Sequence, residues 1–138
     1  MLALAGPARA ETALTKSTVV QYEPYNRFGT CFSALTLLNE LPQVVSISLD
    51  SLFLDHDGAV IGDPSFRFRN VAPGRVVAED QPFRNLPCNR IAQIRYRVAR
   101  CEVDGQRAEI AFCEAQLSFE NRAVIEVTLD GLEAAQTP

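Results

Sequence analysis

The stretch Val45-Ser46-Ile47-Ser48-Leu49-Asp50 decides the fold. Apolar and polar residues alternate through it, so Val45, Ile47, Leu49 and Phe53 share one face while Ser46, Ser48 and Asp50 share the other. A period of two lays one face of an extended chain on a core and leaves the other in water. The same period recurs in Phe66 and Phe68 against Arg67 and Arg69, and in Ile94, Tyr96 and Val98 against Arg95 and Arg97. Ala123, Ile125, Val127 and Leu129 repeat it against Val124, Glu126 and Thr128. Turn chemistry separates these runs at Asp57-Gly58, Pro73-Gly74, Asp104-Gly105 and Glu120-Asn121. With Thr18–Tyr22 and Cys31–Leu38 added, about seven to nine short strands are expected. The predicted fold is all-β: an immunoglobulin- or fibronectin type III-like antiparallel β-sandwich.

Two segments read less simply. Gln81–Arg90 contains Pro82 and Pro87, and proline does not fit inside a sheet, so a loop is expected there. Residues 107–117 fit a helix with Ile110, Cys113 and Leu117 on one face. They also fit a strand whose phase shifts at a bulge before Cys113, and the strand is the expectation.

At 138 residues the chain has the length of one domain. Its 47% hydrophobic and 22% charged residues are those of a folded globule. A formal net charge of −4 argues against general nucleic-acid binding. No apolar run approaches the roughly 20 residues of a membrane span. Residues 1–10 read as a signal-peptide remnant, because Ala8 and Ala10 fit the small-x-small pattern for cleavage before Glu11. Residues 11–130 then form the sandwich domain and residues 131–138 a flexible tail.

Cys31, Cys88, Cys101 and Cys113 form no C-x-x-C pair and lie far in sequence from the single histidine, His56. Two disulfides are therefore expected rather than a zinc site, and with them a periplasmic or secreted location. Of the three connectivities, Cys88–Cys101 is disfavoured, because a strand over Ile91–Val98 would hold those two residues apart. Between the other two, Cys31–Cys88 with Cys101–Cys113 is preferred for the short loop it closes around Asp104-Gly105. A regular two-residue hairpin continued as a strand would set Cys113 opposite Tyr96, so this pairing requires an irregular loop.

Residues 30–80 resemble the bacterial FxLYD-type module. The likeness rests on Leu38-Asn39 at a strand end, on Phe53-Leu54-Asp55-His56-Asp57-Gly58 with Val60-Ile61-Gly62 after it, and on Val71-Ala72-Pro73-Gly74. It covers about a third of the chain and departs from the family in Leu54-Asp55, where Tyr-Asp is usual, and in the four cysteines. The resemblance implies a small immunoglobulin- or fibronectin-like sandwich and brings no catalytic residues with it.

No catalytic, cofactor or metal residues are assigned. His56, the only imidazole base, falls on a turn tip, where no water-excluding site can form around it. Asp55, Asp57 and Asp63 lack the ligand spacing of a calcium loop, since Phe53 stands where an oxygen ligand is required. The chain has no tryptophan for stacking sugars. Arginine is the distinctive surface feature. Arg67, Arg69, Arg95 and Arg97 all point outward, and they would form one ladder if their strands were neighbours. These features point to a non-catalytic exported protein-interaction module of the bacterial envelope or secreted space, acting through an edge strand or the arginine-rich face. Edge pairing or swapping would also permit a homodimer. Two alternatives are a secreted effector binding host proteins, and a small-ligand carrier or enzyme with a pocket between the sheets.

Overall fold

The computed structural model describes residues 16–130 and 135–136. The expected signal remnant, residues 1–10, lies outside the described residues, and of the expected tail only Ala135–Gln136 lies within them. In chain order the elements are β1 (Ser17–Gln21), β2 (Tyr25–Arg27), β3 (Thr30–Asn39), β4 (Val45–Leu54), β5 (Val60–Gly62), β6 (Ser65–Val71) and β7 (Val76–Arg84). A single 3-10 turn at Cys88–Arg90 precedes β8 (Gln93–Val103) and β9 (Gln106–Arg107). Then come α1 (Ile110–Ala115), β10 (Leu117–Asn121), β11 (Glu126–Leu129) and β12 (Ala135–Gln136).

The strands build two sheets that face each other, an all-β sandwich. In the first, β3 is flanked by β7 on one side and by β1 and β2 end to end on the other, with β10 and then β12 beyond β1. In the second, β4 is flanked by β8 on one side and by β6 and β5 on the other, with β11 and β9 beyond β8. Most pairs are antiparallel. The pairs β1–β10, β10–β12 and β8–β11 are parallel.

The period-two pattern places its apolar set inside, as it must for one face to leave water. Phe53, Phe66, Phe68, Tyr96 and Phe119 are fully buried. Phe53, Phe66 and Phe119 surround the Tyr96 ring, with centroids 6.4, 5.7 and 6.2 Å away and steep interplanar angles. Such edge-on contacts add about 0.5–1.5 kcal/mol each to the burial of the rings. The Tyr96 hydroxyl donates to Gln21 Oε1 at 2.5 Å, and Gln21 Nε2 donates to Ser33 Oγ at 3.2 Å. This polar thread ties the two sheets together through the core. Gly62 is required where it stands, because a Cβ there would come within 2.5 Å of the Phe83 ring.

Cys31 pairs with Cys88 and Cys101 with Cys113. The hairpin at Asp104-Gly105 is regular after all, with both residues at positive φ and Val103 opposite Gln106. Its second strand ends at Arg107, and α1 carries Cys113 back to Cys101. The helix thus replaces the expected strand over 107–117, because the cross-link and the buried Cys113 reward a compact turn there. In the chain-entropy account, the sequence separation of 57 closed by Cys31–Cys88 stabilises the fold by about 4 kcal/mol and the separation of 12 closed by Cys101–Cys113 by about 3 kcal/mol. The loop expected at Gln81–Arg90 is also shorter than predicted. β7 runs through Pro82, which is tolerated because β7 is an edge strand. Finally, Asn121 belongs to β10, and the turn follows it.

Candidate functional site

The outward face of β6, β4 and β8 carries the arginines. Arg67 and Arg69 project from β6 and Arg95 and Arg97 from β8, all exposed as their alternation requires. β4 lies between those strands, so the four do not form one ladder. They form two walls along a strand whose outward residues are Ser46, Ser48, Asp50 and Leu52.

Register shows which residues meet. Ser48 is the cross-strand partner of Arg67 on one side and of Arg100 on the other. Asp50 pairs with Arg97, and Leu52 with Arg95. A bulge in β8 aligns the walls this way, and a second bulge lies further along β6. In β8 the register jumps between Ser48–Arg100 and Leu49–Val98, leaving Ala99 as the extra residue. In β6 it shifts between Val45–Val71 and Ile47–Phe68, and Asn70 there adopts φ +50°. The Asn70 amide donates to Ser46 Oγ at 2.8 Å and fixes that bulge to the floor. Bulges re-aim side chains and concentrate at functional sites. Arg100 and the serine floor are the residues that sequence reasoning missed. A signal for Arg100 existed: the inward set is even-numbered through Ile94, Tyr96 and Val98, then odd at Cys101, and that phase change is the bulge.

The result is a shallow open trough of ≈520 Å³ over Ser46 and Ser48, continued by a hollow of ≈580 Å³ over Asp50 and Leu52. Arg97 lies 3.3 Å from Asp50, and Arg100 lies 3.1 Å from Glu102. Arg67, Arg69 and Arg95 have no carboxylate within 4.0 Å among the described residues. Exposed ion pairs of this kind stabilise a fold by little, about 0–1 kcal/mol. The core does not use these side chains. What they can do is hold carboxylates, since a guanidinium fork donates two parallel hydrogen bonds to one.

The acidic turn after β4 serves the fold. Asp55 Oδ1 accepts from the amides of Asp57 and Ala59, each at 2.9 Å. The Ala59 amide, ahead of the Asp57 amide and the Arg90 guanidinium, holds the Asp55 carboxyl below its ordinary value. His56 Nε2 lies 3.0 Å from the Asn89 carbonyl and seats the turn on the Cys88–Arg90 segment. No group of three or more histidine, cysteine or acidic residues among the described residues could hold a metal ion. Between the sheets, the hollow beside Leu41, Ile47 and Phe112 has only ≈10 Å³, room for one water at most.

No family model matches the chain, and no curated protein matches it. The FxLYD-type likeness therefore stays a resemblance in turn chemistry. Among solved structures the chain is similar to IrmA from Escherichia coli, at 10% identity and a TM-score of 0.48, over 67% of this chain and 82% of that one. It is also similar to a DUF1425 family member from Shewanella sp. pv-4, at 13% identity and a TM-score of 0.42, over 67% of this chain and 77% of that one.

Proposed function

We propose that the chain is a non-catalytic, exported binding module of the bacterial envelope or secreted space, and that it engages a protein partner through the face of β6, β4 and β8. One observation carries this reading: a bulge in β8 sets Arg100 opposite Arg67 across Ser48, on a face that contributes nothing to the core. Two disulfides fit an oxidising compartment. No helix among the described residues is long and apolar enough to cross a membrane. The face is favoured over edge pairing because the free edge of β7 carries Glu79, Asp80 and Pro82, which blunt strand addition. A pocket between the sheets, as a carrier or enzyme would need, has little room beside those buried rings. The test is affinity capture with the oxidised, tagged protein from its own envelope fraction, alongside a variant carrying Arg67→Ala and Arg69→Ala. A partner held by the first and lost by the second supports the proposal, and equal recovery by both contradicts it.

A further inference from the structure

We infer that the trough takes one extended peptide segment with a single acidic residue, flanked at the alternate positions on either side by non-acidic residues. The inference rests on the proposed use of this face. Outward residues along a strand repeat every 6.6–6.8 Å or so, and an extended peptide repeats its alternate side chains at the same step. The two walls stand two strand spacings apart, roughly 9.6 Å, which admits one extended chain laid along β4.

The floor then reads the ligand in order. A carboxylate above Ser48 lies between Arg67 and Arg100, which share Ser48 as their cross-strand partner. One step back the floor residue is Ser46, with Arg69 on the β6 side but Glu102 as its cross-strand partner on β8, so a ligand carboxylate there meets a like charge. In the other direction the floor residue is Asp50, whose Oδ2 accepts from Arg97 and whose Oδ1 accepts from Ser65. A ligand carboxylate there would face Asp50 directly, and like charges in close opposition repel. One step further the floor is Leu52, exposed and apolar. The expected ligand is therefore (basic or neutral)-x-acid-x-(basic or neutral)-x-apolar. Asp50 and Glu102 supply the discrimination against a uniform polyanion, and they are why an extended peptide fits the face better than a sulfated glycan or polyphosphate. The net charge of −4 also works against long-range capture of a polyanion.

The test uses synthetic peptides binding to the intact, oxidised protein, followed by isothermal titration and by the guanidinium NMR signals of the arginines. Thr-Thr-Glu-Thr-Lys-Thr-Leu is compared with the same peptide carrying Glu in place of Lys. The Lys peptide should bind severalfold tighter, and Asp50→Asn should erase that preference. Arg67→Ala with Arg69→Ala should weaken binding of the Lys peptide severalfold, the loss of an exposed ion pair. Arg75→Ala, on the turn outside the trough, should change nothing. Equal binding of the two peptides, or a preference that survives Asp50→Asn, overturns the inference. Heparin or polyphosphate binding tighter than the Lys peptide, without dependence on Asp50, also overturns it while leaving the arginine face as a binding surface. No response of the trough arginines to any of these probes overturns the inference and the use of the face together.

Discussion

Asn39 and Asn121 clamp the chain in the same way at two of the three places, among the described residues, where it leaves the first sheet for the second. Each Oδ1 accepts from the amide two residues on, Leu41 at 3.0 Å and Ala123 at 2.9 Å. Each Nδ2 donates to the carbonyl four residues on, Gln43 at 2.8 Å and Ile125 at 3.1 Å. Asn39 does more. Its Nδ2 also donates to the Val71 carbonyl at 2.9 Å, and its Oδ1 accepts from Ser17 Oγ at 2.9 Å. One buried side chain thus links β1, β3, β6 and the crossover to β4.

The first prediction follows from that inequality. Asn39→Ala should cost about 3 kcal/mol, because it strands several buried polar groups at once. Asn121→Ala should cost about 1–2 kcal/mol, having fewer partners to orphan. Urea unfolding of the two variants measures both, and equal costs would remove the distinction.

A second prediction concerns Phe28, at the tip of the β2–β3 hairpin. Arg27 pairs with Thr30, and Phe28 and Gly29 both have positive φ, at 52° and 76°. That is the two-residue turn for which Asn-Gly is preferred. Phe28 is 95% exposed, so it buries nothing to offset the strain, and Arg27 stacking on its ring at 5.6 Å compensates only in part. Phe28→Asn should raise stability by about 1 kcal/mol, read as a higher urea midpoint with an unchanged slope.

A third prediction is a pH dependence. Burial raises the Tyr96 hydroxyl above its ordinary value of 10.0. A group whose pKa is higher folded than unfolded gives stability that is complete below the unfolded value and lost as the pH rises past it. Above pH 10 the unfolded state releases this proton and the folded state keeps it. Stability should therefore fall by about 1.4 kcal/mol per pH unit more in the natural protein than in Tyr96→Phe. Parallel pH profiles above pH 10 would contradict the burial argument.

The β-period was legible because local sequence sets it: every residue that alternates in Val45–Leu49, Phe66–Arg69 and Ile94–Val98 lies on the face its chemistry requires. Which strands are neighbours was not legible. Register between β4, β6 and β8 depends on contacts distant in sequence, so Arg67 was matched with Arg95 and Arg97 when its partner across the floor is Arg100. The helix at 110–115 was hidden for a related reason. Ile110 and Cys113 suit either period, and the choice falls to a cross-link with Cys101 on another strand. Asn39 was visible as a strand end, but its role as a four-way tie needs Ser17 and Val71, far along the chain on either side.

The most direct measurement of the central claim is site-specific photo-crosslinking in the producing cell. Benzoylphenylalanine replaces either Ser48, on the trough floor, or Thr36, on the outer face of the opposite sheet. A discrete adduct is expected from position 48 that disappears with Arg67→Ala and Arg69→Ala, and none from position 36. An adduct from position 36 with none from position 48 would contradict it.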